Sequence, residues 1–426
     1  MDELPDPLRV EPRGPLDARV RVPGSKSVTN RALLVAALAD GTSALSGGLA
    51  SDDTRVMVAS LVALGCAVDA DREPWRVIGS GARLHAPAAP LFTGNSGTTA
   101  RFLTAAACLA DGPVTIDGSA RMRERPIDDL TRALEKLGAA CRVEGAGGCP
   151  PVRVAGGGLR GGEATIDARR SSQYVSAVLL AAPYAARDVT LRFEAGELVS
   201  RPYVDLTLDV MRAFGARADW TTEGALHVTA GIPYRARSFA IEADASSAAY
   251  PFCAAAIAGG RVRVQGLDPG TRQPDVGILG LLEQMGCRVA KGSDWAEVRG
   301  PQDRLRGIDV DMNALPDAVL ALAVVALFAE GRTRIRNVGN LRIKETDRLA
   351  ALEAELRKLG AGARADADSL TIEPAPLRPA AIDTYGDHRM AMAFALAGLR
   401  QPGVLIRDPG CVSKTWPDYF DMLGSL

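Results

Sequence analysis

Apolar residues along this chain alternate between two patterns. Nearly unbroken runs rich in alanine and leucine occupy Ser27–Ala39, Gly97–Ala110, Ser172–Ala185, Ser246–Ala258, Pro316–Ala329 and His388–Leu399. Each predicts a helix that is apolar on every side, and such a helix belongs in an interior. Between them lie stretches with apolar positions three and four apart, such as Pro126–Leu137 and Lys344–Leu359, which predict helices with one solvent face. Short β-like runs follow Gly41, Gly112, Asp188, Gly260, Gly331 and Gly403, at successive steps of 71, 76, 72, 71 and 72 residues. A glycine closing a helix recurs at Gly65, Gly138, Gly215, Gly286 and Gly360, at steps of 73, 77, 71 and 74. That is where a left-handed C-cap is expected. One period shared by two independent markers makes this an internal repeat.

Each unit reads as a polar start, a buried helix, a strand, a charged loop, an amphipathic helix and a hairpin, for example Cys141–Val143 with Pro151–Val154. Six α/β units divide into two domains of three. Because the apolar helices must be covered, the sheets are expected outside them, which gives a two-domain inside-out α/β barrel. The crossings fall near Val22–Gly24 and Ser238–Ile241. The expected domains are therefore 23–240 and a discontinuous one of 1–22 with 241–426.

The polar starts carry the candidate chemistry. They are Ser25-Lys26-Ser27, Gly94-Asn95-Ser96-Gly97-Thr98, Ser171-Ser172-Gln173, Asp244-Ala245-Ser246, Pro316-Asp317 and Asp387-His388-Arg389. Taken singly, such residues are N-caps. Six related units that repeat the placement also gather free N–H groups and positive dipole ends, which bind phosphate and carboxylate. Cations share these neighbourhoods: Lys26, Arg31, Arg123, Arg125, Arg342, Lys344, Arg348, Arg389 and Lys414. Gly94–Thr99 is not followed by the Gly-Lys pair of a nucleotide phosphate loop, and Gly156–Gly162, followed by no helix, predicts a hairpin turn. Anionic small molecules are expected, without ATP or a dinucleotide.

Composition narrows the classes further. A chain of 426 residues with 47% hydrophobic and 24% charged residues is globular, and its net charge of −1 offers no general field for nucleic acid. No apolar run reaches the length of a membrane span. The acidic, proline-bearing start resembles neither a signal nor a transit peptide, so a cytoplasmic protein is expected. Seven scattered cysteines and three histidines show no metal-ligand spacing, so neither a metal nor any other cofactor is expected.

Several segments in order make the reading specific. Val22–Ser27 with Asn30-Arg31, Gly94–Thr98, Arg125–Ile127, Ser171–Tyr174, Ser200–Tyr203, Pro316-Asp317, Arg342–Leu349, Asp387–Met392 and Ser413–Asp418 together resemble the signatures of the 3-phosphoshikimate 1-carboxyvinyltransferase family. The resemblance spans the whole chain. It implies two domains of three βαβαββ repeats, with the active site in the cleft between them. It also implies transfer of the enolpyruvyl group of phosphoenolpyruvate to the 5-hydroxyl of shikimate 3-phosphate, through a tetrahedral ketal, on the shikimate route to chorismate and aromatic amino acids. Shikimate 3-phosphate would be held by Lys26, Ser27, Arg31, Ser171, Ser172, Gln173, Ser200, Asp317, Asn340 and Lys344, and phosphoenolpyruvate by Lys26, Gly97, Arg125, Gln173, Arg348, Arg389 and Lys414. Catalytic roles would fall to Asp317 as acceptor of the hydroxyl proton, Glu345 at the enolpyruvyl methylene, and Lys26 and Lys344 near the developing charge. His388 is expected to support Arg389 and Glu345 rather than touch substrate. The partners implied are small molecules alone, with neither nucleic acid nor membrane, and a monomer.

Two positions depart from the commonest form of the pattern: Ser96, where alanine is frequent, and Phe102, where many members have proline. Gly97 is retained, which leaves room for glyphosate, so a glyphosate-sensitive enzyme is expected. The neighbouring reading is a UDP-N-acetylglucosamine 1-carboxyvinyltransferase, whose Lys-Asn pair is replaced here by Lys26-Ser27 and whose mobile-loop cysteine or aspartate is missing after Asp117. A third reading is a noncatalytic anion-binding or RNA-end-processing relative. Against it stand Asp317 and Glu345, since carboxylates in a pure anion-binding site repel the ligand.

Overall fold

The computed structural model describes residues 4–426. The chain forms two units, one of Gly24–Ile241 and one joining the segment that ends at Pro23 to Glu242–Leu426.

The unit Gly24–Ile241 contains helices α1 (Lys26–Leu38), α2 (Asp52–Ala63), α3 (Gly97–Ala106), α4 (Asp128–Lys136), α5 (Ser172–Ala181) and α6 (Arg201–Ala213). The apolar helices α1, α3 and α5 pack on one another at the centre, and Ala32–Leu38 of α1 is wholly without solvent contact. Burying each leucine or valine contributes about 1.5–3 kcal/mol, so these helices supply most of the cohesive energy. The amphipathic α2, α4 and α6 keep polar positions outward.

Three four-stranded sheets cover the helices. Their strand orders are Ser238–Ala240, Asp40–Ser46, Trp75–Ser80, Ala67–Asp69; then Leu91–Phe92, Val114–Asp117, Val152–Val154, Cys141–Val143; then Gly162–Ala168, Val189–Leu198, Leu226–Val228, Ala218–Trp220. In each sheet the first pair is parallel and the others antiparallel. Val114 and Ile116 face the helices, opposite Val154 and Val152, which fixes the register because a one-residue slip would turn every apolar side chain outward.

The second unit repeats the plan with α7 (Ala245–Ala258), α8 (Ile278–Gln284), α9 (Val319–Ala326), α10 (Arg348–Lys358), α11 (His388–Gly398) and the terminal α12 (Tyr419–Ser425). Here α7, α9 and α11 form the buried centre. Two of its sheets use the start of the chain. Leu16–Arg21 runs parallel to Gly260–Gln265, and Leu8–Val10 runs antiparallel to Val404–Ile406. Buried helices inside sheets, repeated six times, are the inside-out barrel expected from the hydrophobic pattern. No helix among the described residues is long and apolar enough to cross a membrane.

One expectation fails. Gly156–Gly162 is not a hairpin turn: it joins Val152–Val154 of one sheet to Gly162–Ala168 of the next. Its amides instead close the end of the α3 segment, Gly157 N–H donating to the Ala110 carbonyl at 2.9 Å and Gly158 N–H to that of Cys108 at 2.6 Å. A Cβ at Gly156 would lie 2.5 Å from the Ala110 oxygen, so the run is glycine because backbone meets backbone.

A similar close approach occurs where α11 passes the first strand. A Cβ on Gly398 would lie 2.4 Å from Cβ of Val10. Gly398→Ala gains up to about 1 kcal/mol of helix propensity but pays about 1–3 kcal/mol of overpacking. A net loss of stability is expected, read as a lower urea midpoint for unfolding.

Candidate active site

Functional side chains enter at the N-terminal ends of the buried helices. In the unit Gly24–Ile241, the Ser25 side chain caps α1 and places Lys26 and Ser27 in its first turn. Lys26 Nζ lies 3.1 Å from the Asp53 carboxylate in the first turn of α2, with both side chains largely buried. Asp53 thereby fixes the ammonium.

Arg31 is buried one turn further along α1. Its Nε donates to Thr207 Oγ1 (2.8 Å), one terminal nitrogen to the Ser27 carbonyl (2.8 Å), and the other to Ser176 Oγ (3.3 Å) and the Tyr203 carbonyl (3.1 Å). Four of five N–H groups are thus spent inside the unit, which ties α1 to α5 and α6 and leaves one for a ligand. Burial lowers its pKa to about 10, still charged at neutral pH. Phe102, fully buried, lies 5.2 Å beneath the guanidinium as a cation–π partner, so the departure from proline is packed against a site arginine.

At α3, Ser96 is the N-cap, accepting from Thr99 N–H, which accounts for a serine there. Gly97 follows, and a Cβ on it would sit 2.6 Å from a terminal nitrogen of both Arg101 and Arg125. Arg125 is itself held by the Asn95 carbonyl oxygen (3.1 Å) and Oδ1 (3.2 Å). At α5, the Ser171 hydroxyl accepts from Gln173 N–H, and the Gln173 amide donates to Thr98 Oγ1 at 3.2 Å, which joins the starts of α5 and α3. Ser172 opens α5. Ser200 precedes α6 in a left-handed conformation (φ 52°), a strained choice for serine that turns the chain into Pro202.

The second unit builds a denser electrostatic group. Arg348 opens α10 with its side chain only 1% exposed. It meets Asp387 at 2.7 and 3.1 Å, Glu345 at 2.9 Å and Asp317 at 3.3 Å. Burial works against its charge, but Asp387, Glu345 and Asp317 outweigh burial and raise its pKa above the ordinary guanidinium value. Asp387 also caps α11, accepting from Arg389 N–H at 2.9 Å. Arg389 reaches back to Asp317 at 2.9 Å, and Lys344 stands 3.7 Å from the same carboxylate. For Asp317, burial alone would raise the pKa. Arg389, Lys344 and Arg348 together reverse this and hold the carboxyl well below its usual range.

His388 is fully buried beside Asp387 (3.5 Å). Asn340 lies buried in the turn Gly339–Ile343, and Lys414 in the turn Pro409–Lys414. Two cations of the sequence reading turn elsewhere: Arg123 pairs with Asp117 at an exposed position, and Arg342 pairs with Asp347 at 2.9 Å.

Comparison with known proteins decides what these groups belong to. A family description, EPSP synthase (3-phosphoshikimate 1-carboxyvinyltransferase), matches residues 10–423. A 3-phosphoshikimate 1-carboxyvinyltransferase of Trichormus variabilis is 47% identical over 408 residues, 95% of each chain. One from Marinomonas is 44% identical over 420 residues, 97% of this chain and 98% of the other. The chain belongs to the EPSP synthase family. A solved EPSP synthase from Acinetobacter baumannii superposes with a TM-score of 0.80 at 27% identity, covering 98% of this chain and 97% of that one. NikO of Streptomyces tendae, an enolpyruvyl transferase, shares the fold at 22% identity and a TM-score of 0.76.

Three residues outside the sequence-predicted set hold members of it: Asp53 on Lys26, Asn95 on Arg125 and Asp387 on Arg348. Asn95 and Asp387 lie in recognised motifs, where both read as caps. Asp53 gave no signal beyond an acid in a helix's first turn.

Asp387→Ala strips a buried guanidinium of its bidentate partner and is expected to destabilise by about 3–5 kcal/mol, measured by urea unfolding. Asp387→Asn keeps a capping oxygen and should recover about 1 kcal/mol of it. The depressed pKa of Asp317 stabilises the fold at every pH above the unfolded value of about 3.9, and this contribution fades as pH falls below it. The acid limb of stability against pH should therefore be shallower in Asp317→Asn.

Proposed function

We infer that the chain transfers the enolpyruvyl group of phosphoenolpyruvate to the 5-hydroxyl of shikimate 3-phosphate and releases inorganic phosphate. The observation that carries the reading is Asp317, a carboxylate set among Arg389, Lys344 and Arg348. The cations suit anionic substrates, and the carboxylate among them supplies the acceptor that removal of a hydroxyl proton requires.

Each substrate brings a phosphate and a carboxylate. In this reading shikimate 3-phosphate takes Lys26, Ser27, the remaining N–H of Arg31, Ser171, Ser172, Gln173, Ser200, Asp317, Asn340 and Lys344. Phosphoenolpyruvate takes Lys26, Gly97, Arg125, Gln173, Arg348, Arg389 and Lys414. Helix starts and guanidinium forks suit such groups.

Asp317 without ligand is too weak a base. When substrate phosphate and carboxylate engage Lys344 and Arg389, those cations are neutralised and the carboxylate regains basicity, so the base is activated by the act of binding. It accepts the 5-hydroxyl proton as that oxygen bonds to C2 of the enolpyruvyl group, while C3 gains a proton and a tetrahedral ketal forms. Loss of a C3 proton and departure of phosphate then give the enol ether. Glu345, 2.9 Å from Arg348, is the group for proton exchange at C3. Lys26 and Lys344 offset charge at the transferring oxygens. The reading carries with it a monomer working in the cytoplasm, where seven free cysteines would stay reduced.

Purified protein should release phosphate from phosphoenolpyruvate only when shikimate 3-phosphate is present, and Asp317→Ala should cut kcat by about 10²–10⁴-fold. Release with UDP-N-acetylglucosamine instead would overturn the acceptor, and activity surviving in the variant would overturn the base. Gly97→Ala forces the Arg101 and Arg125 guanidiniums aside. A rise of about tenfold or more in the glyphosate inhibition constant, together with a higher KM for phosphoenolpyruvate, is expected from steady-state kinetics.

A further inference from the structure

A second cationic place lies on the sheet formed by Asp309–Asp311, Thr333–Arg336, Leu370–Glu373 and Gly362–Ala365. Its solvent side borders a cavity of about 460 Å³, lined among others by Arg332, Arg334, Arg357, Arg364 and Thr371. Strand register explains the grouping. Thr371 pairs with Arg334 on one side and with Arg364 on the other, so three strands present an Arg–Thr–Arg row. Two of the arginines have internal partners: Arg364 meets Asp366 at 2.8 Å, and Arg357 meets Glu353 at 2.7 Å. The side chains of Arg332 and Arg334 make neither an ion pair nor a hydrogen bond among the described residues. The lining also includes the carboxylates of Asp366 and Glu373, so four arginines face two acids.

The repeat supplies its own control. In the preceding repeat the strand Gly260–Gln265 carries Arg263 where Thr333–Arg336 carries Arg334. Arg263 is paired across the sheet with Glu297, which is 3% exposed and takes both Arg263 at 2.9 Å and Arg299 at 3.0 Å. That sheet neutralises itself. At the position equivalent to Glu297 stands Thr371, whose hydroxyl donates but carries no charge. Asp309 lies across the register from Arg334 but is engaged by Arg336, and Asp366 and Glu373 line the same cavity, so the arginines outnumber the acids of the lining with no buried equivalent of Glu297 among them.

We propose that this cavity binds a phosphate-bearing polyanion of the diphosphate class. Arg334 and Arg364 are two strand spacings apart, about 10 Å at the backbone, a width that two linked phosphates bridge better than one. Guanidinium forks supply paired donors to phosphate oxygens, and the Thr371 hydroxyl lies between them. The volume falls within the range of small-molecule pockets. None of these residues belongs to the substrate sets above, so the site is a separate one.

The test is calorimetric titration of the full chain with inorganic pyrophosphate at low salt, repeated with Arg334→Glu and with Thr371→Glu, which restores the acid of the sister sheet. Both positions lie on the solvent side of the sheet, and circular dichroism checks the fold. Each variant should weaken pyrophosphate binding at least tenfold while its enolpyruvyl transfer rate stays within twofold of the parent. The proposal is overturned if the parent binds no pyrophosphate at millimolar concentration, or if neither variant changes the affinity, which would assign the ligand to the substrate residues. A loss of transfer activity in parallel with binding overturns the separateness of the site.

Discussion

Six helices with no solvent-facing side can meet water or a ligand only through their ends, and this constraint orders almost everything else in each unit. The sheets must lie outside, because nothing else covers the helices. The strands are short, because each spans only part of a helix's length. Polar chemistry collects at one place per repeat, the turn that opens the buried helix, where unsatisfied amides already point outward. Ser25, Ser96, Ser171 and Asp387 cap those turns.

The electrostatic organisation follows from that crowding. Cations gathered for anionic substrates would repel one another in a half-buried site, and the protein answers with carboxylates that serve as spacers. Asp53 holds Lys26, and Asp387 with Glu345 holds Arg348. Asp317 differs, since its three cations are groups that a substrate can claim. One carboxylate is the shared counter-ion of Arg389, Lys344 and Arg348.

Much of this was legible in the chain itself. The buried helices and the six-fold repeat were visible because periodicity survives without knowledge of contacts, and the helix-start motifs were visible because residue type and order suffice. What stayed hidden depends on partners distant in sequence. Nothing near Arg31 announces that Thr207, Ser176 and Tyr203 will absorb most of its donors. Arg123 and Arg342 look like their neighbours yet turn to Asp117 and Asp347. The Gly156–Gly162 run read as a hairpin because glycine marks any tight backbone, and only the approach of the Ala110 carbonyl distinguishes a turn from a cap.

The way the second unit borrows the start of the chain has a temporal meaning. Leu8 finds its partner at Ile406 and Leu16 at Gly260, so both strands wait for residues made much later, Leu8–Val10 almost to the end. At about 5–20 residues per second, the ribosome takes roughly 20–80 s to deliver Ile406 after Leu8. For the last part of that interval, once Ile241 has been made, Gly24–Ile241 has all its own strands and can fold while the short apolar segment Leu8–Val10 is still unpaired. The polar and proline residues around Leu8–Val10, with Pro5, Pro7 and Pro12 flanking it, are suited to keep such a waiting edge from pairing with another nascent chain.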